Sequence, residues 1–281
     1  MNFLCSANQR QLDNLQRVLI FATDQATYDL ITSLQLPVHV FYHEATFGDM
    51  PTEAAHRYAD KTFMRMMMVK VFSVHMAMIL GYSVVFQDAD VVWFKDPLSY
   101  FEDREISGAF QYDAYFQDDG NHALFYAPYS ANTGFYYLRN NERTMALINA
   151  LLLQGDHIIT TKSHQIPLTF HLQEMASLHG LTIYIFSRTT DDFPGGHAYH
   201  RRRPFMKDMI TGKNIQPYIF HMSWTESKVN KMKFYQQMGE WFVRDECSAG
   251  WSTANDVQAL IKGGTGCCLA EPVVKCHYRD K

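Results

Sequence analysis

The stretch Gly81-Tyr-Ser-Val-Val-Phe-Gln-Asp-Ala-Asp-Val-Val-Trp-Phe-Lys-Asp-Pro97 decides how the rest of the chain is read. Val84, Val85 and Phe86 form a β-branched and aromatic run, the pattern of a buried strand. Asp88 and Asp90 stand at its carboxyl end. Residues i and i+2 of an extended chain share a face, so the two carboxylates can converge on one point. Paired hard oxygen donors suit Mg²⁺ or Mn²⁺. In open α/β sheets, ligands bind outside the carboxyl ends of strands, where a cation would grip a diphosphate. A lone Asp-x-Asp is most often a solvated turn. This one lies between two apolar runs, where bare charge is costly without a partner.

Composition bounds the alternatives. A chain of 281 residues, 47% hydrophobic, can bury a large core. The formal charge is −4 and the one basic block is Arg201-Arg-Arg203, which argues against a nucleic-acid partner. The apolar region Met64–Phe86 is interrupted by Arg65, Lys70, His75 and Gly81, so a core helix is expected there rather than a membrane span. No signal peptide or membrane anchor is visible. Cys5 stands alone, while Cys247, Cys267, Cys268 and Cys276 crowd the tail. No Cys-x-x-Cys pair favours zinc. The crowding predicts a disulfide-stapled appendage, with at least one bridge among the four, and an oxidising compartment.

Read in order, residues 1–16 form a polar lead-in, 17–245 the main domain and 246–281 the Cys-rich appendage. Arg17–Asp24 predicts a strand, Gln25–Gln35 a helix capped by Asp24, and Pro37–Tyr42 a second strand: a parallel α/β unit. Ala54–Leu80 predicts a long helix stopped by Gly81. Lys70 sits mid-helix on an apolar stripe, where a lysine snorkels or pairs with an anion such as a phosphate. Ile106–Ala114 predicts a strand, and Asp118-Asp-Gly-Asn121 a turn. Further strands are expected at Phe135–Leu138, Leu181–Phe186 and Pro217–His221. Helices are expected at Thr144–Gln154, His164–His179 and Ser227–Val243. Ser187–Ile215 reads as a long irregular loop. Without further context, Asn132-Thr-Gly134 is a turn before a strand, His221 a satisfied core histidine, His164 a helix cap, and Trp224 and Trp241 core.

Taken together, Phe86-Gln-Asp88-Ala-Asp90-Val-Val-Trp-Phe-Lys-Asp-Pro97, Asn132-Thr-Gly134-Phe-Tyr-Tyr, His164-Gln165 and His221-Met-Ser-Trp224 form an ordered set. This set resembles the nucleotide-diphospho-sugar transferases over about residues 17 to 243. The likeness is greatest to plant rhamnogalacturonan xylosyltransferases and extensin arabinosyltransferases. The resemblance implies a GT-A type, Rossmann-like α/β fold, with a mixed sheet flanked by helices in a single domain. It implies a metal-dependent, retaining glycosyltransferase of the Golgi lumen. Its partners would be a nucleotide-sugar donor, typically a UDP-sugar, and a glycan or glycoprotein acceptor.

Carried over by position, Asp88, Asp90 and His221 match the metal ligands for Mn²⁺ or Mg²⁺. Thr23 and Asp24 match the nucleoside contact, Lys70 a basic residue near the nucleotide, and Asn132, Thr133 and Gly134 the strand entry beside the donor sugar. Lys228 matches a phosphate-contacting lysine, with Lys231 as its substitute. His164 stands where the family often has Asp, before the catalytic Gln165. No nucleophilic carboxylate stands out beyond Asp191 and Asp192, which favours acceptor entry from the leaving-group face. Two other readings remain: a haloacid-dehalogenase-type phosphatase using Asp88 as nucleophile, and a non-catalytic nucleotide- or carbohydrate-binding module.

Overall fold

A computed structural model describes residues 1–50, 55, 59–109, 111–213, 215–248, 254–264 and 266–275. Helix α1 (Asn2–Gln9) is followed by a 3-10 turn and strand β1 (Leu19–Phe21). Helix α2 (Gln25–Ser33) leads to β2 (His39–Phe41), which pairs with β1 in parallel. Asp24 caps α2 as expected: Thr27 N–H donates to its Oδ1 at 2.7 Å. A short helix α3 (Glu44–Phe47) precedes α4 (Lys61–Ile79). The expected start of α4 at Ala54 lies outside the described residues. Gly81 follows α4 at φ +91°, a conformation that favours glycine.

Next come β3 (Val84–Gln87), β4 (Val91–Trp93), α5 (Pro97–Ile106) and β5 (Ala114–Asp118). The strand expected over 106–114 is therefore displaced: Ile106 ends α5 and is exposed. Strand β6 (Ala131–Leu138) begins earlier than expected and contains the whole Asn-Thr-Gly motif. Helices α6 (Glu142–Leu153), α7 (Gly155–Thr161) and α8 (Gln165–His179) follow, then β7 (Ile183–Phe186). The region read as an irregular loop carries two helices, α9 (Gly196–Arg201) and α10 (Arg203–Ile210). The chain continues with β8 (Ile219–His221), α11 (Lys228–Met238), α12 (Asp245–Ser248) and α13 (Ala254–Lys262).

The main sheet runs β3-β6-β5-β7. Strand β6 is antiparallel to both β3 and β5, and β7 is parallel to β5, so the sheet is mixed. Both faces of β6 are buried, which explains its unbroken apolar run after Gly134. Phe135 and Tyr137 enter one core cluster with Val91, Val92, Trp93 and Phe220. Tyr136 and Leu138 point the other way, into a cluster with Met67, Val71, Val74 and Met78 of α4. By length and composition alone α4 would suffice to cross a membrane; here it packs on α6, α7 and β3.

The N-terminal segment is not a polar lead-in. Phe3, Leu4, Cys5 and Ala7 of α1 are buried, and the helix packs on β4. Nor is Cys5 alone, since it is bonded to Cys268, while Cys247 is bonded to Cys267. The vicinal Cys267 and Cys268 thus take different partners, and Cys268 ties the tail to α1. Cys276 lies outside the described residues.

Candidate functional site

The site forms where β3 hands over to β4. Asp88 N–H donates to Gly134 O of β6 at 2.8 Å, which pins the first aspartate to the sheet. Strand β4 pairs antiparallel with β8, placing Val91 opposite His221. Met222 N–H donates to Asp90 O at 2.9 Å, and the Tyr235 hydroxyl donates to the same oxygen at 2.7 Å. His221 Nε2 therefore lies 3.6 Å from Asp90 Oδ1. Asp88, Asp90 and His221 each offer one ligand atom, and all three atoms lie within 4.8 Å of one another. The three residues, matched as metal ligands by resemblance alone, are brought together by the antiparallel β4–β8 pair.

The charges around this point are arranged in pairs. Lys70 Nζ of α4 lies 2.5 Å from Asp88 Oδ1, and Lys231 Nζ of α11 lies 2.5 Å from Asp90 Oδ2. Burial pushes the Asp90 carboxyl up, but His221 and Lys231 outweigh it and hold Asp90 well below the usual carboxylate range. Asp88 Oδ1 is buried and accepts no hydrogen bond among the described residues; it has only the Lys70 charge beside it.

The histidine is oriented by its second ring nitrogen. Gln117 Nε2 donates to Phe193 O at 2.9 Å and Pro194 O at 3.0 Å, so its Oε1 must face His221. Nδ1 of His221 is 2.8 Å from that oxygen and donates its proton there. When the ring is neutral, the Nε2 lone pair is left facing the aspartates, the tautomer a metal needs; when it is protonated, the same nitrogen faces Asp90 as a cation. Gly134 makes room for the ring: a Cβ there would stand 2.3 Å from His221 Cε1. An ionised carboxylate, a carboxylate oxygen without a hydrogen bond and the lone pair of a neutral imidazole fit a divalent cation.

Beyond the aspartates, β6 carries the other polar groups. Asn132 Nδ2 donates to Asp119 Oδ1 at 2.8 Å, and Asn132 Oδ1 accepts from Gly134 N at 2.7 Å. Gln165, the first residue of α8, accepts from Thr133 N and Thr133 Oγ1, both at 3.3 Å, and its side chain also bonds Asp119. Asp119 is buried, and burial pushes its carboxyl up. Sequence reasoning missed Asp119 and Gln117. The first lies in an Asp-Asp-Gly-Asn run that reads as a turn. The second left one signal: a glutamine inside the apolar strand Ala114-Tyr-Phe-Gln-Asp118.

Several expected residues sit elsewhere. His164 is buried, with Nδ1 3.0 Å from Met67 Sδ of α4; burial, then the Lys70 charge, drives its ring far below the ordinary value, so it is neutral and faces the core. It makes no side-chain cap for α8. Lys228 is exposed at the start of α11, and Lys231, one turn later, is the lysine at Asp90. Asp24 is engaged by its cap, with Thr27 Oγ1 also donating at 2.8 Å, and Thr23 lies beside it after β1. Asp191 pairs with Arg202 at 3.7 Å. Trp241 is buried as expected, but Trp224 is 39% exposed.

This geometry, an Asp-x-Asp between β3 and β4 facing a late histidine across a mixed α/β sheet, is that of a nucleotide-sugar-binding fold. The chain belongs to the nucleotide-diphospho-sugar transferase family, whose sequence profile matches residues 13–235. It is similar to the UDP-D-xylose:L-fucose alpha-1,3-D-xylosyltransferase 3 of Arabidopsis thaliana, 23% identical over 261 residues. It is also similar to the UDP-galactose:fucoside alpha-3-galactosyltransferase of Dictyostelium discoideum, 24% identical over 241 residues. A beta-arabinofuranosyltransferase of Arabidopsis thaliana is 29% identical over 153 residues. These alignments take in 87%, 78% and 54% of this chain, and 63%, 34% and 27% of the respective relatives.

Proposed function

We propose that this chain is a divalent-cation-dependent glycosyltransferase that moves a sugar from a UDP-sugar to a fucose-bearing glycan, with retention at the anomeric carbon. The observation that carries the reading is the convergence of Asp88, Asp90 and His221 within 4.8 Å. The xylosyl- and galactosyltransferase relatives are both named for fucose acceptors and α-linked products. From an α-linked donor, an α product means retention.

The chemistry divides among the chain's own groups. Asp88, Asp90 and His221 would hold Mn²⁺ or Mg²⁺, which when bound supplies positive charge at the diphosphate leaving group. Lys70 and Lys231 bring two further cations to the same place, and these stabilise the negative charge that grows as the glycosidic bond breaks. No external acid is required, because the nucleotide leaves as a stable diphosphate. Asn132, Thr133 and Gln165 present amide and hydroxyl groups on one side of the site, suited to orienting sugar hydroxyls. The carboxylate among them, Asp119, is tied to Asn132 and Gln165. We therefore assign Gln165 to the anomeric carbon and the acceptor to the leaving-group face. Thr23 and Asp24 are assigned to the nucleoside and Lys231, rather than Lys228, to the phosphates. The two disulfides suit an oxidising secretory compartment such as the Golgi lumen.

The test is calorimetry of UDP with and without Mn²⁺, followed by product NMR with UDP-xylose or UDP-galactose and methyl α-L-fucoside. Nucleotide binding that requires Mn²⁺ and an α-linked disaccharide are expected. Equal UDP binding in EDTA removes the metal role, and a β-linked product removes retention.

A further inference from the structure

We propose that Trp224 is the acceptor platform, an apolar face against which the C6 methyl of a terminal L-fucose packs. The inference rests on the transferase reading above and adds the residue that selects a deoxy sugar.

The exposure, backbone and contacts of Trp224 carry the inference. Trp224 is 39% exposed, three residues after the ligand His221. Its backbone has φ +60°, a left-handed conformation that bulky residues rarely adopt. Such a conformation persists only where the surroundings enforce it, and it collects at ligand sites. The enforcement is visible. Gly196 N–H donates to Ser223 Oγ at 3.0 Å, and a Cβ on Gly196 would stand 1.7 Å from Ser223 O and 3.1 Å from Trp224 Cβ. The indole itself is fixed at its polar edge, where Nε1–H donates to Asp119 O at 2.6 Å. It also meets the His197 ring edge-to-face at 5.3 Å. His197 in turn rests on Gly120, where a Cβ would stand 2.5 Å from His197 Cβ.

A tryptophan whose one donor is already satisfied offers only apolar ring to solvent. Its partner must therefore be apolar on the contacting side. Asp119 links this ring to the reacting end of the site, since its carbonyl holds Trp224 while its carboxylate binds Asn132 and Gln165. Fucose differs from L-galactose only in having a methyl group in place of the C6 hydroxymethyl. Packing that methyl on the indole is favourable, whereas burying the extra hydroxyl there without a partner is costly.

The experiment compares methyl α-L-fucoside with methyl α-L-galactoside, in the presence of UDP-sugar and Mn²⁺. The wild type should favour the fucoside in kcat/KM by roughly ten-fold, the scale of one small group against an apolar surface. Trp224→Ala should raise KM for the fucoside and bring the preference to about one, and Trp224→Phe should keep most of it. Saturation-transfer NMR with UDP and Mn²⁺ should show the fucoside C6 methyl as the most strongly saturated group, with the signal lost in Trp224→Ala. Calorimetric UDP–Mn²⁺ binding reports whether each variant is folded; if Trp224→Ala is not, Trp224→Leu takes its place. A wild type that transfers to both sugars equally overturns the platform and leaves the transferase standing. A preference that survives undiminished in Trp224→Ala, or in Trp224→Leu where it takes that variant's place, also overturns it. Fucoside binding through the methyl, without any transfer, supports the platform and sinks the transferase reading.

Discussion

Two aspartate sites at strand ends, one buried and one half-buried, have opposite character. Asp113, just before β5, is saturated. Asn141 Nδ2 and Arg143 Nη2 donate to its Oδ1 at 2.8 and 2.7 Å. Arg143 Nε, Thr182 N and Thr182 Oγ1 donate to its Oδ2 at 2.8, 2.9 and 2.8 Å. It ties the N-terminus of α6 to the start of β7. Asp88 and Asp90 are held by charge with few donors: Lys231 donates to Asp90 Oδ2 and His221 lies beside its Oδ1, while Asp88 has the Lys70 charge and its Oδ1 accepts no hydrogen bond among the described residues. A buried carboxylate with a full set of donors holds the fold together. One with ion pairs and spare lone pairs is poised for a ligand, because its partners can be exchanged without leaving an orphaned backbone group.

The largest effect that separates the two comes from neutralising Asp90. Asp90→Asn should lower UDP-sugar hydrolysis by at least about a thousand-fold, the scale for losing a group that stabilises leaving-group charge. Its melting temperature should stay near that of the wild type. A variant that unfolds instead would place Asp90 with Asp113 as a structural clamp.

Removing the clamp should do the reverse. Asp113→Ala leaves several buried donors without an acceptor, at a cost on the order of 3 kcal/mol in stability; Arg143 is half exposed, so its share is screened. Turnover per folded molecule should not change. The effect should also depend on pH. Burial raises the Asp113 carboxyl, but Arg143 and Thr182 more than compensate and hold it at about 2, below its ordinary 3.8. A depressed carboxyl stabilises the fold fully above its unfolded value and loses that contribution as pH falls through its folded value. The gap between wild type and Asp113→Ala in urea midpoint should thus be constant above about pH 4 and shrink between 3.8 and about 2. A gap that does not change with pH would mean that Asp113 contributes through packing alone.

Local pattern carried part of this site and topology the rest. Asp88 and Asp90 were legible because an apolar strand leads into them, and His221 because it ends the last strand in a matching order. The mixed sheet was legible only through the family resemblance, since the strand–helix–strand pattern at the start of the chain speaks for parallel pairing alone. What brings His221 to Asp90, the antiparallel β4–β8 pair, is a contact between residues far apart in sequence, and no local pattern encodes it. Lys228 and Lys231 differ only in helix phase. With α11 beginning at Lys228 and capped by Ser227, the lysine one turn in reaches Asp90. His164 was drawn to the sugar by alignment with a carboxylate, yet the core accommodates it as a neutral ring on Met67. The helices α9 and α10 were hidden by Gly195-Gly196, Pro204 and the arginines; α10 nonetheless buries Phe205, Met206 and Met209.

Gln117 offers the finest division between holding a fold and holding a ligand, because it does both through one amide. Its nitrogen serves two carbonyls of the segment before α9, and its oxygen serves His221. If that second contact only filled a hydrogen bond, removing it would affect stability alone. If it sets the tautomer, removing it frees the His221 ring to rotate or to place a proton on Nε2, facing the aspartates. Gln117→Leu keeps the bulk and loses both functions. Partners behind metal-bound histidines are typically worth about 10–100-fold in metal affinity. Mn²⁺ affinity measured by calorimetry at saturating UDP should fall by that amount, well short of the loss in Asp90→Asn. Gln117→Glu should recover much of it, since a carboxylate accepts the Nδ1 proton at least as well, though it gives up the two carbonyl contacts. Melting temperatures should fall in both variants, because both abandon Phe193 O and Pro194 O. A shared loss of stability with only one loss of metal affinity is the signature of a residue that orients its histidine. If the two variants bind Mn²⁺ equally, Gln117 belongs to the fold alone.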